Sequence, residues 1–176
     1  MMMPVSQGNN HPAVHKLART FGRSVIEAAC SSGQTILTIG RNDIGLVCRF
    51  LRDDHDLRYD HLSDLCGVDY QDKKPTRFEV VYQLYSSMLG DRLCIRVGVA
   101  GGDRVPTVTD VWPAADWLER ECWEMFGIYF DRHPDVRRLL TLDEYGGFPL
   151  RKDFPLRGTV EIVEVAEGGV TWRPRS

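Results

Sequence analysis

Two neighbouring stretches of the chain alternate apolar and polar residues with a period of two. In FEVVYQLY, which starts at Phe78, the large apolar side chains at every second position share one face. LCIRVGVA, which starts at Leu93, repeats the pattern, and the residues between the two stretches include Gly90 and Asp91, which are typical of a hairpin loop. The pattern predicts two antiparallel strands that bury one face.

Shorter signals precede this hairpin. Apolar residues recur at helical spacing over 17–29 and again over 42–52, where Asn42 or Asp43 can cap the helix. The stretches 35–39 and 65–70 have the composition of strands. The sequence therefore predicts helix, strand, helix and strand before the hairpin, and a further helix after it.

These elements predict an α+β fold: a small, mostly antiparallel sheet with helices packed on it, plus an extended C-terminal tail. Residues 1–12 are polar and contain Gly and Pro, and we expect them to be disordered. The α+β domain is expected over 13–142, and an extended C-terminal segment over 143–176.

The stretch from Glu119 to Leu140 is both strongly aromatic and strongly charged. On a helical wheel over 117–130, the apolar stripe contains Leu118, Cys122, Met125, Phe126 and Tyr129. Only a narrow arc with Arg120, Glu124 and Gly127 is free of large apolar groups. Two explanations remain open: the helix lies under a loop of its own chain, or it faces its sheet on one side and a partner protein on the other.

The carboxylates of this helix also have two interpretations. Glu119, Glu121 and Glu124 are candidates for acid–base groups or metal ligands, and Glu121 and Glu124 lie one helical turn apart. No nucleophile pattern accompanies them, and Arg120 lies among them as an ion-pair partner. The sequence therefore favours structural ion pairing over catalysis.

Composition limits the classes of function. The net charge of −3 provides no broad basic surface for nucleic acid or anionic lipid. No stretch has the length of a transmembrane helix and the start lacks a signal-peptide pattern, so we expect a soluble chain on the reducing, cytosolic side. The five cysteines are separated, and no Gly-rich phosphate loop occurs, so we predict no catalytic residue and no bound cofactor or metal.

The segment after Phe130 contains many turn-forming residues but retains large apolar side chains. Its prolines and its glycine pair are Pro134, Gly146, Gly147, Pro149 and Pro155. A disordered tail would contain fewer leucines and aromatics, so we predict an extended segment that lies on a surface and lacks a regular element over 143–176. We expect it to dock on a partner, with Arg151 and Lys152 meeting acidic groups and Asp153 a basic one.

The two stretches ERECWEMFGIYFDRHPDVRRLL and GGFPLRKDFPL resemble the C-type subunit of the proton-pumping NADH–quinone oxidoreductase, respiratory complex I. The family pattern is a helix E-R-E-x-x-[DE]-[ML]-[FY]-G-[IV], then H-P, a basic leucine-rich stretch, and G-[FYW]-P-L-R-K-D-[FY]-P. The likeness spans about 57–155 and is looser upstream, through LSDLCGVDY and VPTVTDVWPAADW. The interface or structural candidates in this region are Glu119, Arg120, Glu121, Trp123, Glu124, Phe126, Gly127, His133, Pro134, Phe148, Pro149, Leu150, Arg151, Lys152, Asp153, Phe154 and Pro155.

The resemblance implies a non-catalytic structural subunit of the peripheral arm. Family members bind no flavin and no cluster, whereas the complex moves electrons from NADH through FMN and iron–sulfur clusters to quinone, coupled to proton translocation. The implied partners are other peripheral-arm subunits, especially the D-type subunit that helps form the quinone site, and cluster-carrying neighbours. The implied location is the cytoplasmic face of the bacterial inner membrane, with membrane contact only through the complex.

Other interpretations stay open at this point. Group 4 membrane-bound nickel–iron hydrogenases and the ferredoxin-linked photosynthetic dehydrogenase contain a similar subunit, and the sequence does not separate them from complex I. A free-standing enzyme that uses Glu121, Glu124 and His133 is a third hypothesis, from a different class.

Overall fold

The main sheet of the protein has five strands. The computed structural model describes residues 11–143, 145–156, 160–165 and 169–174, the last two ranges as backbone only. The strands of the sheet are β1 (Val25–Ser31), β2 (Gln34–Ile39), β3 (His61–Asp69), β4 (Phe78–Ser86) and β5 (Asp91–Val99). Their order is β1-β2-β5-β4-β3, and every neighbouring pair is antiparallel except β2 and β5.

The predicted hairpin is confirmed as β4 and β5. Tyr82 lies opposite Ile95, and both side chains are fully buried, as the alternating pattern required. In the described part of the chain, three α-helices accompany the sheet: α1 (Pro12–Phe21), α2 (Ile44–Asp53) and α3 (Ala115–Phe126). The α+β class with a mostly antiparallel sheet is therefore confirmed.

The core lies between one face of the sheet and the helices. α1 contributes Ala13, Val14 and Leu17, and α2 contributes buried residues at the spacing that predicted it. Removing these apolar side chains from water is the main favourable term for the fold, at about 25 cal/mol per Å² of apolar surface. The polar end of α1 is fixed by His11, which caps the helix and whose Nε2 lies 2.9 Å from Asp91 Oδ2.

The predicted helix over 17–29 is wrong in its second half. α1 ends at Phe21, and Val25 begins β1, which turns into β2 through Ser32 and Gly33, both at positive φ. The helical spacing of apolar residues continues past the end of α1 into a segment that starts with the β-branched Val25. This segment pairs with β2 and forms a strand, so the spacing predicted a helix that is too long.

Two short pairs of strands complete the described structure. β6 (Arg104–Pro106) and β7 (Tyr129–Asp131) pair in parallel and connect the chain before α3 to the chain after it. β8 (Val160–Val165) and β9 (Gly169–Pro174) form an antiparallel hairpin, so the expectation of no regular element over 143–176 is wrong for this part. Of the range 1–12 expected to be disordered, residues 1–10 lie outside the described residues, and α1 begins at Pro12.

Helix α3 packs against β3, and a glycine permits the close approach. A Cβ atom at Gly67 would come within 2.6 Å of Phe126 Cδ2. Any side chain at this position would push the C-terminal end of α3 away from the sheet. The glycine in the middle of a strand therefore has a packing reason.

Candidate interface site on the third helix

The polar arc of α3 is buried under the chain that follows it. Asp116, Arg120 and Glu124 lie at intervals of four residues and so share one face of the helix. Arg120 is 5% exposed and Glu124 is 0% exposed. Residues 133–142, here called the strap, run along this face in the direction of the helix. Of the two explanations for the mixed composition, burial under a loop of the same chain is the one observed for this face.

Glu124 holds the strap through its main chain. Its carboxylate accepts hydrogen bonds from the amide N–H groups of Leu139 at 2.7 Å, Leu140 at 3.0 Å and Thr141 at 2.6 Å, and from the Thr141 hydroxyl. Burial alone would raise the pKa of this carboxyl, but the Thr141 hydroxyl and the three amide donors outweigh it and lower the pKa. Glu124 is therefore an ionised anchor for a segment that has no secondary structure of its own.

Arg120 binds main-chain carbonyl groups of the strap, whereas Glu124 binds its amide groups. Its Nε donates to the carbonyl of Arg137 at 3.0 Å, its Nη2 to the carbonyl of Arg138 at 3.4 Å, and its Nη1 lies 3.8 Å from Asp135. The interpretation of Arg120 as the partner of neighbouring glutamates is therefore wrong. A planar guanidinium has five N–H donors and can bind two successive carbonyl groups. A carboxylate only accepts hydrogen bonds and cannot bind a carbonyl oxygen in this way.

Glu121 and Glu124 do not form an acid–base pair. Glu124 is covered by the strap, whereas Glu121 points to solvent and makes no hydrogen bond or ion pair with the described residues. The two groups therefore do not converge on a common pocket, which an acid–base pair would require.

Glu119 is fully buried between Thr107 and Val108 on one side and His133, at the start of the strap, on the other. Its carboxyl accepts hydrogen bonds from the Val108 amide at 2.7 Å and the Thr107 hydroxyl at 2.5 Å, and His133 Nε2 lies 3.9 Å away. Burial raises the pKa of Glu119 to about 7 in spite of these two donors. Asp110 and Asp116 are the nearby charges that raise it further.

We expect the stability of the chain to fall between about pH 4.5 and pH 7 through Glu119. The folded state binds the proton more tightly than the unfolded state, so this stability is complete below pH 4.5 and is lost as the pH rises through 7. A shift from 4.5 to about 7 corresponds to about 3 kcal/mol in the free energy of unfolding. Glu119→Gln retains an acceptor for Val108, and Thr107 can turn its hydroxyl towards Thr109, 3.0 Å away.

Urea unfolding at several pH values measures this effect. The variant is expected to match the wild type at pH 4 and to exceed it by up to about 3 kcal/mol at pH 8. Parallel curves for the two proteins across this range would contradict the assigned burial cost. Glu121→Gln, on the exposed face of the same helix, is the matched control.

The C-terminal end of α3 is held by residues 145–156, here called the C-terminal loop. Gly127 ends the helix in the left-handed conformation, with φ of 70°. Arg151 donates from Nε to the carbonyl of Phe126 at 2.6 Å, and its guanidinium stacks on Phe148, 4.1 Å from the ring centre. A Cβ atom at position 127 would come within 2.6 Å of Phe148 Cζ, so the glycine meets both a backbone and a packing requirement.

Asp69 fixes the same loop to the sheet. It accepts hydrogen bonds from the Lys152 amide at 2.9 Å and from Arg77 Nη2 at 3.0 Å, and Arg77 also lies 2.8 Å from Asp153. Burial alone would raise the pKa of Asp69, but its hydrogen bonds from Arg77, Lys152 and Gln71 outweigh burial and lower the pKa to about 2. Asp153 thus meets a basic group of its own chain, and docking of the loop on a partner stays a prediction.

The remaining candidate residues fall into two groups. Trp123, Phe126, His133 and Phe154 pack within the chain: Trp123 contacts Tyr129 edge to face at 6.3 Å, and Phe154 stacks on Tyr145 at 6.1 Å. The side chain of Leu150 is exposed, although its amide donates to the Met125 carbonyl at 3.1 Å. Prolines at positions 134, 149 and 155 shape the turns of the strap and the loop.

Asp69 and Arg77 belong to the site although no motif in the sequence marks them. Asp69 lies in LSDLCGVDY, a fragment that contributes only to the looser upstream likeness. No local signal identifies its partner in the loop, because Lys152 lies 83 residues further along the chain than Asp69.

Metal ligands are sparse in the described part of the chain. Asp54, His55 and Asp56 are the only group of three potential ligands found there, and Lys16 already binds Asp54 and Asp56 at 2.6 and 2.7 Å. All five cysteines are unpaired thiols. Among the described residues, no helix combines the length and apolar composition needed to span a membrane.

Comparison with known proteins identifies relatives over most of the chain. Residues 37–160 match the model of the family described as respiratory-chain NADH dehydrogenase, 30 Kd subunit. The C-type subunit of NADH-quinone oxidoreductase from Geobacter sulfurreducens is 42% identical over 150 residues, which are 85% of this chain and 91% of that protein. The residues that match the family model include α3, the strap and the C-terminal loop.

Solved structures agree with this relationship. The trypsin-resistant fragment (1-134) of Nqo5 aligns with a TM-score of 0.56 and 34% identity, over 69% of this chain and 96% of that fragment. A chain of the membrane-bound sulfane sulfur reductase, an archaeal respiratory membrane complex, aligns with a TM-score of 0.65 over 81% of this chain and 84% of its own length. At 23% identity that likeness shows a shared fold. The chain belongs to the family of the 30 kDa subunit of respiratory-chain NADH dehydrogenase.

Proposed function

We propose that this chain is a non-catalytic, structural subunit of the peripheral arm of an NADH–quinone oxidoreductase. The complex transfers electrons from NADH through FMN and iron–sulfur clusters to quinone, coupled to proton translocation, and this chain binds none of these groups. It docks on other peripheral-arm subunits, above all on the subunit that helps form the quinone site. Its place is the cytoplasmic face of the bacterial inner membrane, which it reaches only through the complex.

The observation that supports this role is the outward face of the strap and the loop. Leu140 is 67% exposed, and Val136, Leu142, Leu150 and Leu156 are also exposed. Glu124, Arg120 and Asp69 bind the main chain of these two segments on the side that faces the protein. A rigid, irregular surface with exposed leucines is costly in water and is typical of a surface that a partner covers.

Isolation of the complex tests the proposal. The chain with an affinity tag, expressed in its own host in place of the untagged chain, is purified from detergent-solubilised membranes. We expect NADH-oxidising activity, FMN and a quinone-site subunit to be recovered with it. A nickel-binding subunit in the eluate, or a chain that elutes alone, would contradict the proposal and favour a hydrogenase or a free-standing protein.

A charge on the strap is expected to block docking without unfolding the chain. Leu140→Glu adds a carboxylate to an exposed position, where a substitution changes stability by about 0.5 kcal/mol or less. At a desolvated interface the same charge costs several kcal/mol, so we expect a loss of assembled complex of at least about tenfold. Native gel electrophoresis of membranes measures the loss.

The matched control is Met88→Glu, in the loop between β4 and β5, where the side chain is also exposed. We expect this variant to assemble at the wild-type level. Equal assembly of both variants would exclude the strap as an interface.

A further inference from the structure

A groove separates the start of α2 from the start of α3, beside the first residues of the strap, and none of the exposed leucines of the strap lines it. Its volume is about 750 Å³. Leu46 stands at its α2 side, 61% exposed, and Thr107 lies beside it at the end of β6. The charged residues that line the groove are three aspartates and two arginines: Asp110, Asp116, Asp131, Arg49 and Arg132.

The three aspartates differ in whether a cation balances them. Asp110 pairs with Arg49, and Asp131 Oδ2 lies 3.5 Å from Arg132 Nε. Among the described residues, Asp116 has only His133 within ion-pair distance, at 3.5 Å. Asp116 Oδ1 is shielded from solvent and has no hydrogen-bond partner there, while the side chain as a whole is 37% exposed.

His133 does not supply the missing positive charge. Its Nδ1 accepts the amide N–H of Asp135 at 3.1 Å, so the proton of the neutral ring lies on Nε2. That Nε2 lies 3.1 Å from the main-chain carbonyl of Asp116, to which it donates. The imidazole is thus fully hydrogen-bonded as a neutral group.

A second carboxyl lies directly behind the groove. Thr107, which lines the groove, donates to Glu119 at 2.5 Å, and Glu119 is fully buried. Burial raises the pKa of Glu119, and the charges of Asp110 and Asp116 raise it further. Burial is the larger cause of this rise, and the smaller contributions of Asp110 and Asp116 indicate that their negative charge reaches Glu119 from the groove.

We propose that this groove binds a lysine or arginine side chain from a segment of a neighbouring subunit, with the cation on Asp116 and its aliphatic stem against Leu46. The proposal rests on the proposed function, since it requires a neighbouring subunit. A single available carboxylate beside an apolar wall suits a cation on an aliphatic stem. A free divalent metal would need several oxygen ligands, and the other two aspartates are already paired with arginines.

Substitution of Asp116 in the tagged full-length chain tests the binding of a cation. Asp116→Asn removes the charge and retains the shape, and we expect about tenfold less assembled complex at fixed expression. Asp116→Lys places like charges together, and we expect a larger loss, whereas Asp116→Glu should retain most of the complex. Asp72→Lys, in the exposed loop between β3 and β4, is the control and should assemble normally.

Melting of each purified chain separates docking from folding. Asp116→Asn is expected to melt within a few degrees of the wild type, so that the loss of complex reflects the groove. Normal assembly of Asp116→Lys would overturn the proposal, even if the wild-type chain copurifies with the complex as the proposed function requires. A variant that loses assembly only because it no longer melts cooperatively would equally count against a docking role for Asp116.

Cross-linking identifies the occupant. A photoreactive amino acid at position 46 in the assembled complex should form a cross-link to another subunit, within a peptide that contains lysine or arginine. Mutation of that basic residue to glutamate in the partner should restore assembly of Asp116→Lys. A cross-link to a second copy of this chain, to its own C-terminal segment, or to no protein would overturn the assignment.

Discussion

Replacement of Glu124 with alanine is expected to lower the free energy of unfolding of the isolated chain by about 3–5 kcal/mol. The substitution removes the acceptor for three consecutive amide groups of the strap and leaves Arg120 and the hydrogen bond from His133 to the Asp116 carbonyl as the remaining polar anchors of the strap on α3. These amides are partly buried, so each one that loses its acceptor costs about 1 kcal/mol or more. Urea unfolding followed by circular dichroism measures the change.

Two further variants isolate the cause. Glu124→Gln retains one carbonyl acceptor and loses the charge, so we expect roughly half the loss. Glu121→Ala, one turn away on the exposed face, should change stability by about 0.5 kcal/mol or less. An equal effect at positions 121 and 124 would show that general helix propensity, and not the strap, determines the result.

Replacement of Asp69 with alanine should produce the second large effect, a loss of about 3 kcal/mol or more in the free energy of unfolding. Its buried carboxylate joins the Lys152 amide to Arg77, and Arg77 in turn binds Asp153. Without it, the C-terminal loop loses the hydrogen bond from the Lys152 amide to the sheet, and the Arg77 charge loses a fully buried partner.

The pH dependence of the wild type provides an independent check on Asp69. Its pKa is lowered to about 2, so its contribution is complete above pH 3.8 and is lost as the pH falls towards 2. The difference in stability between the wild type and Asp69→Asn should therefore shrink below pH 3.8. A constant difference down to pH 2 would indicate that the carboxylate contributes through shape and not through charge. Asp72→Asn, in the exposed loop after β3, is the control.

The fold was predictable where a periodic pattern coincided with a buried face. The β4–β5 hairpin and α2 follow directly from such patterns. The helix over 17–29 failed because helical spacing and strand pairing compete for the same apolar residues around Val25. Local sequence does not encode which competitor prevails, since pairing with β2 decides it.

The site was predictable in its residues and not in their partners. The unusual arc of α3 is visible in the sequence, but such an arc normally faces water. Burial of Arg120 and Glu124 depends on the strap, which has no pattern of its own and is held by main-chain groups that every residue possesses. When a side chain binds main-chain groups, its partner can be any residue type, so the sequence contains no complementary residue that would reveal the contact. The ion pairs expected within the chain among Glu121, Glu124 and Arg120 were wrong for this reason, and ion pairs of these residues across an interface stay a prediction.

The same observation explains why the motif is both charged and aromatic. The charged groups fix an irregular main chain on the helix, while the aromatic groups Phe126 and Phe148 pack on the two glycines that allow close approach. The proposed docking surface is then the outer side of this fixed main chain, where Leu140 and Leu150 are exposed. The inner side of this segment thus stabilises the fold of the chain, and its outer side is the surface proposed to bind a partner.

The exchange of the amide hydrogens of Leu139, Leu140 and Thr141 in the isolated chain tests this account most directly. Because Glu124 accepts all three, they should exchange slowly before any partner binds, and Glu124→Gln should accelerate them while the amides of β4 and β5 remain protected. Fast exchange of these three amides in the isolated wild-type chain, with protection only in the assembled complex, would show that a partner orders the strap and would contradict the account.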